Sequence, residues 1–320
     1  GAAQRDFFAR MAREEKHMAI DLSHIFSESQ NIPWLEYGHN GDDVWRPQVG
    51  IMLMWGTTTH RPGFLKLLPG AVNSAQSLAN AVWESGLQDM IAITDKGFWS
   101  PDNVTCFEDA GIHYAMALRR DLPIVRCVPH TRYKDFFHYR KHAQWWLATE
   151  RDGRTIYNYL DKSLADQEES AYLARVAEGK ATRSQYEKLK HGFGTLAILT
   201  DSGMNAQDTY ELYKERRDVE YAFDTLQNTL GADVTWMRTR EAMQGYLFIF
   251  FVALHLYSQV LDHLKRRKLL TRFSVQDVLT YLSKVFVVEI NGHDCLGEVT
   301  RQTKRVIELL EVPITERLGL

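Results

Sequence analysis

Short apolar runs and helix-like stretches alternate over the first 118 residues of the chain. Asp21 lies in a run whose apolar residues recur at every second position, the period of a half-buried strand. Two further apolar runs are separated by a turn that contains Pro62 and Gly63, a pattern typical of a hairpin. The runs that we predict to be strands lie at 17–22, 48–55, 64–68, 90–94 and 112–118. Helical spacing before and after the fourth run predicts an α/β order of three strands, helix, strand, helix and strand.

The composition changes at Arg119. Residues 119–154 contain nine Lys or Arg residues, four Asp or Glu residues and six aromatic residues, and they predict short antiparallel strands. A polar, helix-prone stretch follows at 165–187, and a strand is predicted at 195–200. This region is therefore expected to form a β-rich insertion.

Helical periodicity dominates the rest of the chain. It is strong from Asp208 to Gly231, which supplies a stop signal, and a second, mostly apolar helix is predicted at 240–265. Its longest apolar run, at 246–257, is shorter than the roughly 20 residues that a membrane span needs. The sequence therefore predicts no membrane segment, and two more helices in the tail.

A polar stripe borders the buried face of the helix that follows Asp208. On a wheel of about 100° per residue, Arg216, Glu220 and Gln227 lie within about 60° of Tyr213, beside the apolar stripe. Such a border position is where a helix places a carboxylate at the mouth of a site. The alternative is an ordinary surface ion pair between Arg216 and Glu220, worth a few tenths of a kcal/mol.

Two aspartates lie on predicted strands and strengthen the first interpretation. Asp21 is in mid-strand, where a buried acid is costly unless something compensates it. Asp95 directly follows the fourth strand, at an end of the kind where α/β sheets gather functional groups. With Glu220 they give three carboxylates on three elements, which suits the hard cations Mg²⁺ and Mn²⁺.

The composition excludes collagen-like, disordered and membrane proteins. The chain has 320 residues, 45% hydrophobic and 25% charged, which is typical of a soluble globular protein. Its formal net charge is −3, so any DNA-binding surface must be a local patch. The three cysteines, Cys106, Cys127 and Cys295, have no paired spacing, which favours a reducing, cytoplasmic location over a disulfide framework.

Several blocks of the sequence together resemble a known family. Residues 213–220 match the first three positions of the signature Y-x2-R-x3-E-x6-K, and Gln227 stands where lysine is usual. Blocks around Asp21, Asp95 and the apolar helix at 245–254 occur in matching order. The chain thus resembles the DDE transposases of prokaryotic insertion sequences.

The resemblance implies a ribonuclease-H-like mixed sheet flanked by helices, in agreement with the predicted order of elements. Its catalytic core would comprise residues 1–118 and 206–265. The β-rich insertion at 119–205 would interrupt the core between the fifth strand and the catalytic helix, and 266–320 would form a C-terminal helical region.

The resemblance also implies the chemistry. Asp21, Asp95 and Glu220 would be the catalytic residues and would hold two Mg²⁺ ions, with Mn²⁺ as a substitute, roughly 3.5–4 Å apart. The enzyme would be an endonuclease and strand transferase that cuts phosphodiesters at transposon ends and joins the freed 3′-OH to target DNA. Its partner would be double-stranded DNA (terminal inverted repeats and target), bound by a homodimer on paired ends in the cytoplasm, at the nucleoid.

A further set of residues is expected to contact DNA. Arginine is suited to bidentate phosphate contacts, and aromatic rings can stack on bases. Gln227 would offer a neutral hydrogen bond in place of a cation, which predicts weaker binding of the transposon end. For each ring taken singly, the sequence favours the alternative that it belongs to the small core of the insertion. The predicted DNA contacts are Tyr213, Arg216, Gln227, Arg119, Arg120, Trp145, Trp146 and Phe193.

Two other functions remain open. The chain could be a catalytically silent or domesticated DNA-binding relative, in which Gln227 is the first visible loss. It could also be a structure-specific nuclease on the same core that never joins strands. Cleavage and joining assays on terminal-repeat DNA separate the three.

Overall fold

The structure, a computed structural model, describes residues 2–12, 14–29, 31–32, 34–38, 40, 44–71, 74–125, 128–290 and 292–311. One mixed sheet of eleven strands dominates the described part of the chain, and a separate two-stranded hairpin lies near its end. The strands are β1 His17–Ser27, β2 Glu36–Tyr37, β3 Pro47–Gly56, β4 Arg61–Pro69, β5 Ile91–Thr94, β6 His113–Leu118, β7 Asp135–Tyr139, β8 His142–Arg151, β9 Arg154–Asp161, β10 Thr195–Thr200, β11 Val234–Thr235, β12 Val287–Ile290 and β13 His293–Leu296.

Strand β1 lies in the interior of the sheet, third in the strand order. It pairs antiparallel with β3 and parallel with β5, and β4 and β6 follow on the two sides. The order β4-β3-β1-β5-β6 is that of a ribonuclease-H-like sheet, so the predicted fold and the predicted succession of five strands are confirmed. Strand β5 is short and apolar, with Ala92, Ile93 and Thr94 all buried, as a central strand covered on both faces requires.

The strands after β6 extend the same sheet. Strand β10 pairs antiparallel with β6, and β9, β8 and β7 follow in order. Asp152 and Gly153 close the β8–β9 hairpin, and both residues have positive φ, the conformation that tight hairpin turns require. The basic, aromatic segment is thus continuous with the core sheet, and its division from the core at 119 and 205 stays a prediction.

The described residues also form α-helices before, between and after the strands. The helices are α1 Ala2–Met11, α2 Ser74–Ser85, α3 Pro101–Asp109, α4 Lys162–Ala177, α5 Arg183–Leu189, α6 Ala206–Glu215, α7 Arg217–Asp224, α8 Arg240–Arg266, α9 Val275–Leu282 and α10 Arg301–Leu310.

The single helix predicted from Asp208 to Gly231 has two irregularities. At Arg216 the turn tightens, because the N–H groups of Arg216 and Val219 each bond a carbonyl three residues back. After α7, a π-helical turn, Thr225–Thr229, replaces the expected α-helical continuation. The hydrophobic period alone does not distinguish these turns from a regular helix.

The chain divides into two compact units, Gly1–Phe251 and Val252–Leu320. The first contains the sheet. The second has its own core, built by Leu264, Val278 and Val306 among others. By length and composition α8 is the one described helix that could also cross a membrane, a test that core helices of soluble proteins pass too. Cys106 and Cys295 carry free thiols, and Cys127 lies outside the described residues.

Candidate active site

Asp21 lies in the middle of β1, with its side chain 20% exposed. The backbone N–H of Leu22 donates to Oδ1 over 2.8 Å, and Nη1 of Arg216 donates to Oδ2 over 3.0 Å. The residues before it, Ala19 and Ile20, are fully buried. The strand thus holds this carboxylate at the edge of the core.

Asp95 stands beside Asp21 because of strand register. Ile20 pairs with Thr94 in the parallel β1–β5 ladder, so the next residue of each strand is an aspartate. Asp95 begins the 3₁₀ turn that follows β5, and its Oδ1 accepts a long hydrogen bond of 3.4 Å from the Tyr213 hydroxyl. The short distance between neighbouring parallel strands therefore brings Asp21, in the middle of β1, close to Asp95, at the end of β5.

Glu220 reaches the same place from helix α7. The buried side chains of Val219, Phe223 and Leu226 hold this helix and the following turn against the core, as the apolar stripe predicted. Glu220 lies beside that stripe, with its side chain 51% exposed. Its Oε1 accepts a hydrogen bond of 2.5 Å from Nη2 of Arg216.

Arg216 bridges two of the three acids. Its guanidinium donates from Nη1 to Asp21 and from Nη2 to Glu220, and its side chain is only 15% exposed. Burial alone would lower the pKa of Arg216, but the neighbouring Tyr213, Asp21, Asp95 and Glu220 raise it above its ordinary value. The arginine is therefore a fixed positive charge at the centre of the acidic cluster.

Burial and like charge shift two pKa values in this cluster. The pKa of Asp21 is raised from 3.8 to about 6, first by burial and further by the charges of Asp95 and Glu220, although Arg216 and the Leu22 N–H lower it. Burial, with the charge of Asp95, raises the pKa of Tyr213 to about 12, so its phenol stays protonated and remains a donor. The site disfavours an additional negative charge and favours a cation.

The three carboxylates supply the oxygen ligands that divalent cations prefer, but their present spacing is not that of a metal site. Within the described residues, no group of three or more His, Cys, Asp or Glu side chains is close enough to hold a metal ion. The Arg216 guanidinium already lies between Asp21 and Glu220, which shows that a cation is accommodated there. The donor set thus fits a hard cation such as Mg²⁺, provided that Arg216 moves.

Asp21→Asn is expected to stabilise the metal-free protein at pH 7. Since the folded pKa lies above 3.8, Asp21 stabilises the fold below about pH 4, and this contribution is lost as the pH rises through 6. Asparagine stays neutral at pH 7, so the variant does not lose the stability that the wild type loses when Asp21 ionises. Its free energy of unfolding at pH 7 should therefore rise by about 2–3 kcal/mol. Urea unfolding with a chelator measures it.

The control for this prediction is Asp224→Asn on α7, an exposed acid that should change little. The gain from Asp21→Asn should vanish at pH 4. A loss of stability at pH 7 would show that the site favours the charged form of Asp21, contrary to its raised pKa.

The two predicted arginine contacts at the start of the insertion have different surroundings. Arg119 is exposed and lies 3.5 Å from Asp121, an ion pair that water and phosphate readily displace. Arg120 donates to both carboxylate oxygens of Glu168 and to the carbonyl of Thr195. Arg120 thus links α4 to β10, while Arg119 is exposed to solvent.

The three predicted stacking residues do not form one platform. Trp145 and Trp146 are on opposite faces of β8, the first beside Leu160 and the second beside Tyr159. Phe193 is 8% exposed and packs against Tyr172 and Tyr186, so its ring has no face open to a base in this structure. Its predicted role would require that cluster to open.

An exposed ring beside Trp145 was not among the predicted DNA contacts. Phe136, 53% exposed, packs on Trp145 with ring centroids 5.1 Å apart, and Nζ of Lys162 lies 3.8 Å from the Trp145 ring centroid. Alternation along β7 could have indicated it, because Phe136 must face away from the buried Phe137. A basic group and two rings thus share one face of the β7–β8 hairpin.

Gln227, the residue in the lysine position, faces β1. Its Nε2 donates to Oγ of Ser23 over 3.1 Å and to the carbonyl of His24 over 2.6 Å. Both amide protons are therefore used within the chain. The hydrogen bond from Gln227 to a phosphate stays a prediction. In this structure both N–H groups of the amide are bonded to Ser23 and His24 instead.

Comparison with known proteins adds three findings. The profile of the family described as "Transposase DDE domain" matches residues 12–256. No curated protein matches the chain. Among solved structures, the chain is similar to the piggyBac transposase synaptic complex with hairpin DNA, determined by cryo-electron microscopy, with 11% identity and a TM-score of 0.48. The similarity covers 98% of this chain and 58% of that one, so this chain spans under two thirds of its length.

Proposed function

Because this chain belongs to the transposase DDE domain family, we propose that it cuts phosphodiesters at transposon ends and joins the freed 3′-OH to target DNA. The observation that supports the proposal is the placement of three acids, from three elements, around Arg216 and Tyr213. Asp21 and Glu220 share the Arg216 guanidinium, and Asp95 accepts from Tyr213, one turn before Arg216.

Asp21, Asp95 and Glu220 would hold two Mg²⁺ ions, for which Mn²⁺ can substitute. When bound, the ions would supply Lewis acidity for the attacking and the leaving oxygen of the phosphodiester. The half-buried Asp21 and the strand-end Asp95 are held by neighbouring parallel strands, so their separation is fixed before substrate binds. Glu220 is the exposed member of the set and lies on the open side.

Tyr213 and Arg216 would hold the phosphate next to the cut. The phenol stays protonated and can donate a hydrogen bond, and the guanidinium can donate two parallel bonds to phosphate oxygens. In the cluster described above, Arg216 is committed to Asp21 and Glu220. Phosphate would therefore compete with these carboxylates for Arg216. If Arg216 moved to the phosphate, the oxygens of Asp21 and Glu220 would become available to the metal ions.

The proposed partner is double-stranded DNA at the terminal repeats and at the target, bound by a homodimer in the cytoplasm. The similar piggyBac complex contains hairpin DNA. With a net charge of −3, this chain needs a local basic surface, and Lys162 beside Trp145 of the β7–β8 hairpin would contribute to one. The exposed Arg119, which follows β6, would add a separate contact.

A second function, a silent DNA-binding relative, is favoured by one specific observation. The residue in the signature's lysine position is neutral, and its amide protons are used by Ser23 and His24. A protein that has lost this cation could bind ends without processing them. Only an assay of cutting distinguishes the two functions.

Strand cleavage is the test. Purified protein with Mg²⁺ or Mn²⁺ should nick duplexes that carry the terminal repeats flanking its coding sequence, and it should join the freed 3′ ends to a target plasmid. Chelation should abolish both reactions. Tight binding without cutting would establish the silent relative, and hydrolysed 3′ ends without joined product would establish a nuclease that never transfers strands.

A further inference from the structure

The segment after the catalytic helix is a π-helical turn, Thr225–Thr229, in which the N–H of Leu230 bonds the carbonyl of Thr225. Such turns are rare and frequently lie at functional sites. Gln227 is its central residue and is partly buried, whereas its neighbour Asn228 is exposed. The two amides of this turn therefore face different surroundings.

The contacts of Gln227 join two elements of the active site. Ser23 and His24, which accept its hydrogen bonds, follow Asp21 by two and three residues on β1. Gln227 itself follows Glu220 by seven residues, about two helical turns. One side chain therefore connects the strand of the first acid to the segment that continues from the helix of the third.

Apolar packing alone leaves this helix some freedom. Val219 and Leu226 are fully buried against the core, but hydrophobic contact is non-directional and tolerates small shifts along the helix axis. Two hydrogen bonds to a central strand are directional and specify one position. A fixed position matters here, because a misplacement of 1 Å in a catalytic constellation can reduce the rate about 100-fold.

We propose that Gln227 is a positioning residue: it fixes the distance between Glu220 and Asp21 and does not contact DNA. This inference rests on the proposed function and deepens it. It reassigns the side chain in the signature's lysine position from the substrate to the scaffold of the site. The hydrogen bonds that support it lie entirely within the chain.

The test compares Gln227→Met, which keeps the length of the side chain and removes its donors, with Asn228→Leu as the matched control. Asn228 lies in the same turn, and its amide donates only to Asp224 within the helix. Mn²⁺ affinity of the DNA complex is measured by electron paramagnetic resonance, well below the melting temperature of every variant. Cleavage is resolved into kcat and KM for terminal-repeat DNA.

Gln227→Met should lower Mn²⁺ affinity and kcat by about 10-fold or more and leave KM for DNA unchanged, as the loss of an orienting partner typically does. Asn228→Leu should change neither quantity. Gln227→Lys, which retains N–H donors for Ser23 and His24, should keep Mn²⁺ affinity near the wild-type value. This rescue separates positioning from a general loss of stability.

Two outcomes would overturn the inference. If Gln227→Met raises KM with kcat and Mn²⁺ affinity unchanged, the residue contacts DNA. If Gln227→Met leaves all three quantities at the values of the active wild type, the residue has no role in the site. A wild-type protein that neither binds Mn²⁺ nor cuts DNA would instead overturn the proposed function, and the positioning role with it.

Discussion

Glu220→Gln should bind terminal-repeat DNA as tightly as the wild-type protein and cut it at least about 10³-fold more slowly. Glutamine keeps the shape of the side chain and can still accept a hydrogen bond from Arg216, but it removes the charge that would hold a metal ion. Because Glu220 is exposed, the fold should be unaffected. Single-turnover cleavage with Mg²⁺ and a filter-binding titration measure the two quantities.

The control is Asp224→Asn, four residues further along α7. Asp224 is exposed, and its Oδ1 accepts only a local hydrogen bond from Asn228. It should cut at the wild-type rate. Cutting by Glu220→Gln at a normal rate, with loss of cutting by Asp224→Asn, would show that Asp224 is the third acid.

Arg216→Met should lower the metal-free free energy of unfolding at pH 7 by about 2 kcal/mol or more, the effect of leaving a buried charge unpaired. Arg216 is 15% exposed and is the cation that lowers the pKa of Asp21, so its loss should raise that pKa further above 6. Proton uptake by Asp21 limits the cost. Urea unfolding in the presence of a chelator measures it.

A double-mutant cycle identifies the cause of this cost. In the Asp21→Asn background the same Arg216→Met change should cost much less, since no buried charge is left unpaired. Additive effects would contradict the ion pair as the source. Arg216→Lys should recover only part of the stability, because one ammonium cannot span Asp21 and Glu220 as the planar guanidinium does.

Local patterns were sufficient for the elements that carry the three acids. The alternation around Asp21, the apolar run before Asp95 and the stripe beside Glu220 each depend on neighbouring residues, and the structure has β1, β5 and α7 there. The proximity of Asp21 and Asp95 follows from parallel pairing, which the strand order implies.

Features that depend on distant partners were not readable from the sequence. The periodicity near Gln227 indicates a helix, but it does not reveal the π-helical turn or the hydrogen bonds to β1, about 200 residues away. An aromatic residue in a basic stretch is equally compatible with stacking on DNA and with burial, and Phe193 is buried by helices α4 and α5. Tertiary contacts decide such cases.

The unbroken sheet fixes the spacing between two distant parts of the first unit. From β1 to β8 it crosses five strand-to-strand steps, and at about 4.8 Å per step these place the Phe136–Trp145 face roughly 24 Å from the strand of Asp21. At about 3.4 Å per base pair, this equals some seven base pairs of duplex. Because paired residues share a face of the sheet, the register places Trp145 on the opposite face from Asp21, so DNA bound at the proposed site would have to pass around the edge of the sheet to reach this ring.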